Sequence, residues 1–204
     1  MEVIKSIIDF VLHIDHHLSE IIRDYRLWTY LILFIIVFAE TGFVVTPFLP
    51  GDSLLFAAGA LIAGGDTGLN IYLVALLLFL AAFFGDSLNY EIGKRWGTKA
   101  FSGKIPFLKQ AHLHKTQAFF VKHGGKTIIY ARFVPIVRTF APFVAGLGEM
   151  DYRRFASFNV IGALLWVGLF LFLGYFFGRI PIVQKNFSLV ILLIIVVSVL
   201  PPII

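Results

Sequence analysis

Residues 155–178 (FASFNVIGALLWVGLFLFLGYFFG) contain no acidic or basic side chain. About 20 apolar residues are enough to cross the hydrocarbon of a bilayer. This run therefore dictates a membrane-spanning helix, placed at 152–178 with its polar flank. Residues 187–204 (FSLVILLIIVVSVLPPII) are also uncharged and just long enough for a second span. Residues 71–93 make a third, whose second half carries Asp86, Asn89, Tyr90 and Glu91. Polar groups there must face protein or water rather than lipid. Composition agrees: 59% of the residues are hydrophobic and 14% charged, against about 45–50% and 25% in soluble domains. With no cysteine, disulfides, thiolate chemistry and Cys-ligated zinc are excluded. The chain is expected to be an all-α integral membrane protein.

The formal charge of +5 is unevenly spread. Residues 27–93 hold Glu40, Asp52, Asp66, Asp86 and Glu91 and no base, whereas 94–126 hold eight bases and no acid. A basic stretch between membrane-length apolar runs reads as a cytoplasmic loop rather than a nucleic-acid surface. Its histidines, His112, His114 and His123, have no acids around them to suggest a metal site. Residues 1–26 place Val3, Ile7, Val11, Ile14, Leu18 and Ile22 at helical spacing among charged residues, an amphipathic helix expected at a membrane interface.

Two further segments are apolar but broken. In 28–65, apolar runs flank Glu40, Gly42, Pro47, Pro50, Gly51 and Asp52. In 127–149, a short run is followed by Arg132, Pro135, Arg138, Pro142, Gly146 and Gly148. Proline removes a backbone donor and crowds the preceding turn, so each segment is expected to bend. Broken helices at membrane depth must be buried in protein or line a wet cavity. Both read as re-entrant helical hairpins. Their breaks resemble each other, Thr46-Pro47-Phe48-Leu49-Pro50-Gly51 against Ala141-Pro142-Phe143-Val144-Ala145-Gly146, which is the pattern of an inverted repeat. With 94–126 in the cytoplasm, the first hairpin opens outward, the second opens inward, and the C-terminus lies inside. The chain ends on Pro201-Pro202-Ile203-Ile204, and a cytoplasmic tail is expected beyond it.

Charges at membrane depth are costly and mark function by default. Glu40 and Asp52 lie in the first hairpin, Arg132 and Arg138 in the second. One reading is structural: the acids neutralise the arginines, or Asp52 caps a helix beginning at Ser53. The sharper reading assigns roles. Low dielectric favours the neutral form of a carboxylate and lets it exchange protons, while Arg keeps its charge and binds phosphate bidentately. Proton loading of Glu40 or Asp52 would then release arginines to an anionic phosphate headgroup. Asp86, Asn89 and Tyr90 share one helix face, and packing and substrate contact are equally open there. Asn159, Gly162 and Trp166 share another, which favours packing. No cofactor is implied.

Taken together, Glu40-Thr-Gly, Pro47-Phe-Leu-Pro-Gly-Asp52-Ser, Gly85-Asp86 with Tyr90 and Gly93, Arg132-Phe-Val-Pro135-Ile-Val-Arg138-Thr, and Gly146 with Met150, Phe155, Asn159, Gly162 and Trp166 closely resemble the DedA family of bacterial inner-membrane proteins. That family is related to the eukaryotic VTT or SNARE-associated proteins. The likeness runs from about the N-terminal helix to the last span, without the basic C-terminal tail such proteins usually carry. It implies two facing re-entrant hairpins and lipid translocation, of undecaprenyl phosphate in several bacterial members and of phospholipid in eukaryotic relatives. It also implies dependence on the proton motive force in some members, with Glu40 and Asp52 as essential acids and Arg132 and Arg138 as essential arginines.

The leading expectation is a flippase for a polyprenyl phosphate. A phospholipid scramblase on the same fold is the alternative. A lipid phosphatase would need a His nucleophile or base beside the arginines, and all six His lie in 13–17 and 112–123. A proton–ion antiporter is disfavoured by the paired arginines. Membrane lipid and protons are the expected partners, nucleic acid is not, and a homo-oligomer is compatible with the sequence.

Overall fold

In a computed structural model of the chain, residues 27–43, 51–65, 67–100, 124–148 and 150–199 are described. Among these, all regular structure is helical. The elements are α1 (Trp28–Gly42), α2 (Gly51–Gly64), α3 (Ile71–Ala100), α4 (Lys126–Ala131), α5 (Pro135–Leu147), α6 (Tyr152–Phe177), α7 (Pro181–Lys185) and α8 (Phe187–Val199). The expected N-terminal amphipathic helix, Pro47, Pro50, residues 101–123 and residues 200–204 lie outside the described residues.

Two helices, Ile71–Arg95 within α3 and α6, are long and apolar enough to cross a membrane. Local chemistry sets their starts. The Asn70 side-chain oxygen accepts from the Tyr72 and Leu73 N–H groups at 2.9 and 3.2 Å, and Asp151 accepts from Arg154 N–H at 3.1 Å. Both satisfy donors that the first helical turn leaves orphaned. α3 passes the expected boundary at residue 93 and enters the basic stretch. No proline stops it there, and the exposed Glu91–Arg95 pair, 2.6 Å apart, supports the extra turns. α1, α2 and α5, of 15, 14 and 13 residues, are about 20–22 Å long at 1.5 Å per residue, short of the roughly 30 Å hydrocarbon core. Of the expected span 187–204, the described part is α8.

The second break differs from expectation. α5 runs through Pro142. A proline removes one helical bond, and here the surrounding turns are held by packing, with Ala141, Ala145 and Leu147 buried. The interruption falls instead at Arg132–Val134, where Val134 is extended (φ −121°, ψ 103°), as a residue before proline must be. Pro135 then opens α5, a position where its missing N–H costs nothing. The break therefore sits between the two arginines, with Arg138 one turn inside α5.

The chain divides into two compact units. The first contains α2, α7, α8, the N-terminal parts of α1 and α3, and α6 from Leu165. The second contains α4, α5, α1 from Val37, α3 from Ala81, and α6 through Leu164. In the first, α2 crosses α6 at two glycines. A Cβ on Gly59 would collide with the Leu171 carbonyl and the Tyr175 nitrogen, and one on Gly174 with the Phe56 carbonyl. In the second, α5 crosses α3 the same way. A Cβ on Gly146 would strike the Tyr90 carbonyl and the Lys94 nitrogen, and one on Gly93 the Phe143 carbonyl. Each joint sets an Xaa-x-x-Gly of one helix against an Xaa-x-x-Gly of the other. The short helix contributes Phe56-Ala57-Ala58-Gly59 to the first joint and Phe143-Val144-Ala145-Gly146 to the second, while residues 47–50 of the sequence likeness lie outside the described residues. Gly51 opens α2, whereas Gly146 lies near the end of α5.

Polarity is inverted relative to a soluble protein. Glu40, Asp52, Asp86, Asn89, Arg132, Arg138 and Asn159 are buried, while Leu73, Leu76, Phe84, Leu164, Leu169 and Phe176 are exposed. This is the distribution lipid enforces: apolar side chains outward, polar groups satisfied within.

Candidate functional site

The second unit brings four charges into its interior. Glu40 comes from the last turn of α1, Asp86 from the middle of α3, Arg132 from the end of α4 and Arg138 from α5. None is more than 4% exposed. Close approach of α1 and α3 is permitted by Gly85, where a Cβ would collide with Thr41 Oγ1. Arg138 Nη2 donates to Glu40 Oε1. Arg132 Nη2 donates to Asp86 Oδ2 and also to Asn159 Oδ1 at 2.5 Å. Asn159 is itself oriented, its Nδ2 donating to the Phe83 carbonyl at 3.1 Å. The Arg132 stem passes 3.4–3.5 Å from where a Cβ would stand on Gly162.

One amide fixes the register of this cluster. Asn89 Nδ2 donates to the Thr41 carbonyl at 3.2 Å and to the Thr139 carbonyl at 2.8 Å. Thr41 follows Glu40 and Thr139 follows Arg138, so Asn89 ties the backbone beside the acid to the backbone beside its arginine. Thr41 O lies among the last four carbonyls of α1, which lack partners within the helix. Alongside, the Tyr90 hydroxyl donates to the Met150 carbonyl, and its ring stacks on Phe155 with centroids 4.5 Å apart. Tyr90 and Phe155 join Ile128, Ala131, Ala141 and Ala145 in an apolar cluster.

Among the described residues of the first unit, one acid is buried in this way. Asp52, 5% exposed, accepts from Trp166 Nε1 at 2.7 Å. It stands inside the first turn of α2, which starts at Gly51. The capping role expected for it before a helix at Ser53 is therefore replaced by a place in the turn itself, where the helix dipole also favours an anion.

The structure thus joins Glu40 to Arg138, gives Arg132 the acid Asp86, and sets Asp52 against Trp166. Of the supporting residues, Gly51 and Pro135 open helices, Pro142 is internal to α5, Gly146 makes the α3 crossing, Tyr90 anchors Met150, and Pro47 and Pro50 lie outside the described residues. From the sequence, Asn89 stands open between packing and substrate contact and Trp166 reads as packing, so neither polar role is assigned. Both signals were present: Asn89 follows Asp86 at three, and Trp166 follows Asn159 at seven, a spacing that keeps residues on one helical face. The six histidines lie outside the described residues, and among those described no three His, Asp or Glu side chains gather for a metal. Chemically, arginine holds its charge while a carboxylate can take a proton, so the cluster can trade an internal anion for an external one.

Residues 49–176 match the VTT domain. Protein DedA of Escherichia coli strain K12 is 58% identical over 205 residues, covering 100% of this chain and 94% of that protein. An uncharacterized membrane protein of Mycobacterium leprae is 42% identical over 171 residues, 83% of this chain and 76% of that one. Inner membrane protein YqjA of Escherichia coli strain K12 is 38% identical over 157 residues, 76% of this chain and 70% of that one. No solved structure matches the chain.

Proposed function

The chain belongs to the DedA family of VTT-domain membrane proteins, and from that premise we propose that it moves a polyprenyl phosphate, such as undecaprenyl phosphate, across the bacterial inner membrane. Arg132 and Arg138 bind the phosphate, and buried carboxylates, Glu40 first among them, exchange protons to release the arginines. Asp52 is the second coupling acid in this reading. The observation that carries it is the pair of arginines at helix depth, each held by a carboxylate. A charge pair kept only for stability is replaceable by apolar side chains. Two such pairs around a backbone break suit a site that must open to an anion.

The doubled glycine joint supports an inverted repeat. α2 of the first half packs on α6 of the second, and α5 of the second half packs on α3 of the first. In this reading α2 and α5 are the inner arms of two re-entrant hairpins that enter from opposite faces. The basic stretch 94–126 and the C-terminus face the cytoplasm. In this reading the protein acts as a transporter, and a lipid phosphatase with a His nucleophile or base is disfavoured because all six His lie in 13–17 and 112–123, away in sequence from the arginines.

Reconstituted liposomes test the proposal. A polyprenyl monophosphate, phosphatidylethanolamine and phosphatidylglycerol are offered with and without an inward proton gradient. The expected result is gradient-stimulated movement of the polyprenyl phosphate, lost in Arg138→Ala. Movement of the phospholipids but not the polyprenyl phosphate would replace the lead with a scramblase.

A further inference from the structure

Glu40, Asp86, Arg132 and Arg138 sum to zero charge inside the second unit. A phosphate that enters such a low-dielectric site brings charge the arginines cannot offset by titrating. Neutrality is kept only if a carboxylate takes up a proton for each negative charge admitted. The two acids differ in how ready they are to do so. Asp86 receives Arg132 on Oδ2, while its Oδ1 is buried with no hydrogen-bond partner among the described residues. An interior carboxylate oxygen without a donor is costly as an anion and is satisfied by a proton. Arg132 also has a second acceptor in place, Asn159 Oδ1 at 2.5 Å, which keeps its guanidinium positioned after the carboxylate lets go. The charged groups acting on Asp86 are Arg132, in contact, and Arg138 at longer range, with Glu40 joined to Arg138. The neighbour contributed by α6 is the neutral Asn159.

We propose that Asp86 is a proton-exchange residue of the phosphate site: it takes a proton on Oδ1 as Arg132 gives up Oδ2 and donates to a phosphate oxygen in its place. This rests on the transport reading above and adds to it a residue and a stoichiometry. Before exchange the four groups sum to zero. Afterwards Asp86 is neutral and the phosphate monoanion supplies the lost negative charge, so the sum is again zero. One proton is taken up per monoanion bound. Asn159 acts as a positioning residue by holding Arg132 through the exchange.

The sign of the pH dependence follows. Binding of the monoanion carries a proton to Asp86, so this exchange lowers affinity by about tenfold per pH unit once Asp86 is ionised in the free protein, in addition to the loss of monoanion as the phosphomonoester's own second proton leaves at about pH 6. The test is equilibrium binding of two lipid phosphomonoesters, a polyprenyl monophosphate and phosphatidic acid, to full-length protein in nanodiscs from mildly acidic to alkaline pH. Asp86→Asn mimics the protonated state and is expected to lower the slope by one proton per ligand while retaining binding at alkaline pH, whereas Glu91→Gln, at the exposed acid paired with Arg95, keeps the wild-type slope. On wild-type protein, infrared difference spectra on lipid addition are expected to show a protonated-carboxyl band that Asp86→Asn removes. An unchanged slope in Asp86→Asn, or a ligand-induced spectrum of wild type without that band, overturns the inference and leaves the transport reading standing. Wild-type protein that binds neither lipid overturns both.

Discussion

The two units share a joint and differ in what they bury beside it. In each, a short helix crosses a long one through reciprocal glycines: Gly59 and Gly174 in the first unit, Gly146 and Gly93 in the second. Beside the joint the first unit buries one acid on an indole, Asp52 on Trp166. The second buries two arginine–carboxylate pairs and the Asn89 bridge that aligns one of them. Glycine crossings give backbones close contact, which is what holds helices together where water exclusion is absent. The same joint in both units therefore serves packing. Among the described residues the buried arginine–carboxylate pairs fall in the second unit, and on the proposed reading that is where the chemistry lies.

The largest effect is expected where a buried charge loses its partner. Arg138→Ala leaves Glu40 uncompensated, which costs about 3–5 kcal/mol. Thermal unfolding in detergent should show that loss, and Arg138→Ala combined with Glu40→Gln should recover a large part of it. No recovery would place the damage in packing and not in charge. Next come the joints. Gly146→Val and Gly59→Val force backbones apart, and overpacking costs about 1–3 kcal/mol or more. If the joints are equivalent, the two variants lower the unfolding temperature alike. A large drop for one and none for the other would break the equivalence.

A smaller effect is expected at the first unit's acid. Trp166→Phe removes the donor to Asp52 and leaves an acceptor with less support, at a cost of about 1–3 kcal/mol. Its consequence for transport should be well below that of either arginine. A loss as complete as that of Arg138→Ala would bring Asp52 into the centre of the chemistry and erase the contrast between units. Smallest is Asn70→Ala, which removes the cap of α3 at a cost of about 1 kcal/mol and should leave lipid movement intact.

Much of this was legible in the sequence because lipid leaves few alternatives. Long apolar runs marked α3 and α6, whereas their caps, Asn70 and Asp151, emerge only from the structure. The four leading charged residues stood out because charge is scarce in the chain. What was not legible was partnership. Spacing places Asp86 on a helix face but does not say which arginine reaches it, since the partner is 46 positions away. The break was misplaced at Pro142 because proline reads the same whether it ends a helix or sits in one that packing sustains. The paired glycine joints were not legible either, since a glycine's contact with a distant carbonyl leaves no local trace.

The most direct test of the arginine–carboxylate pair as a phosphate site is transport of a polyprenyl monophosphate by reconstituted Glu40→Arg/Arg138→Glu protein. The exchange keeps the pair and its net charge but moves the arginine to α1. Protein that inserts and stays folded yet has lost at least about tenfold in transport, a change of roughly 1.4 kcal/mol or more, is the expected result. Transport at the wild-type rate would contradict it and reduce the pair to a structural contact.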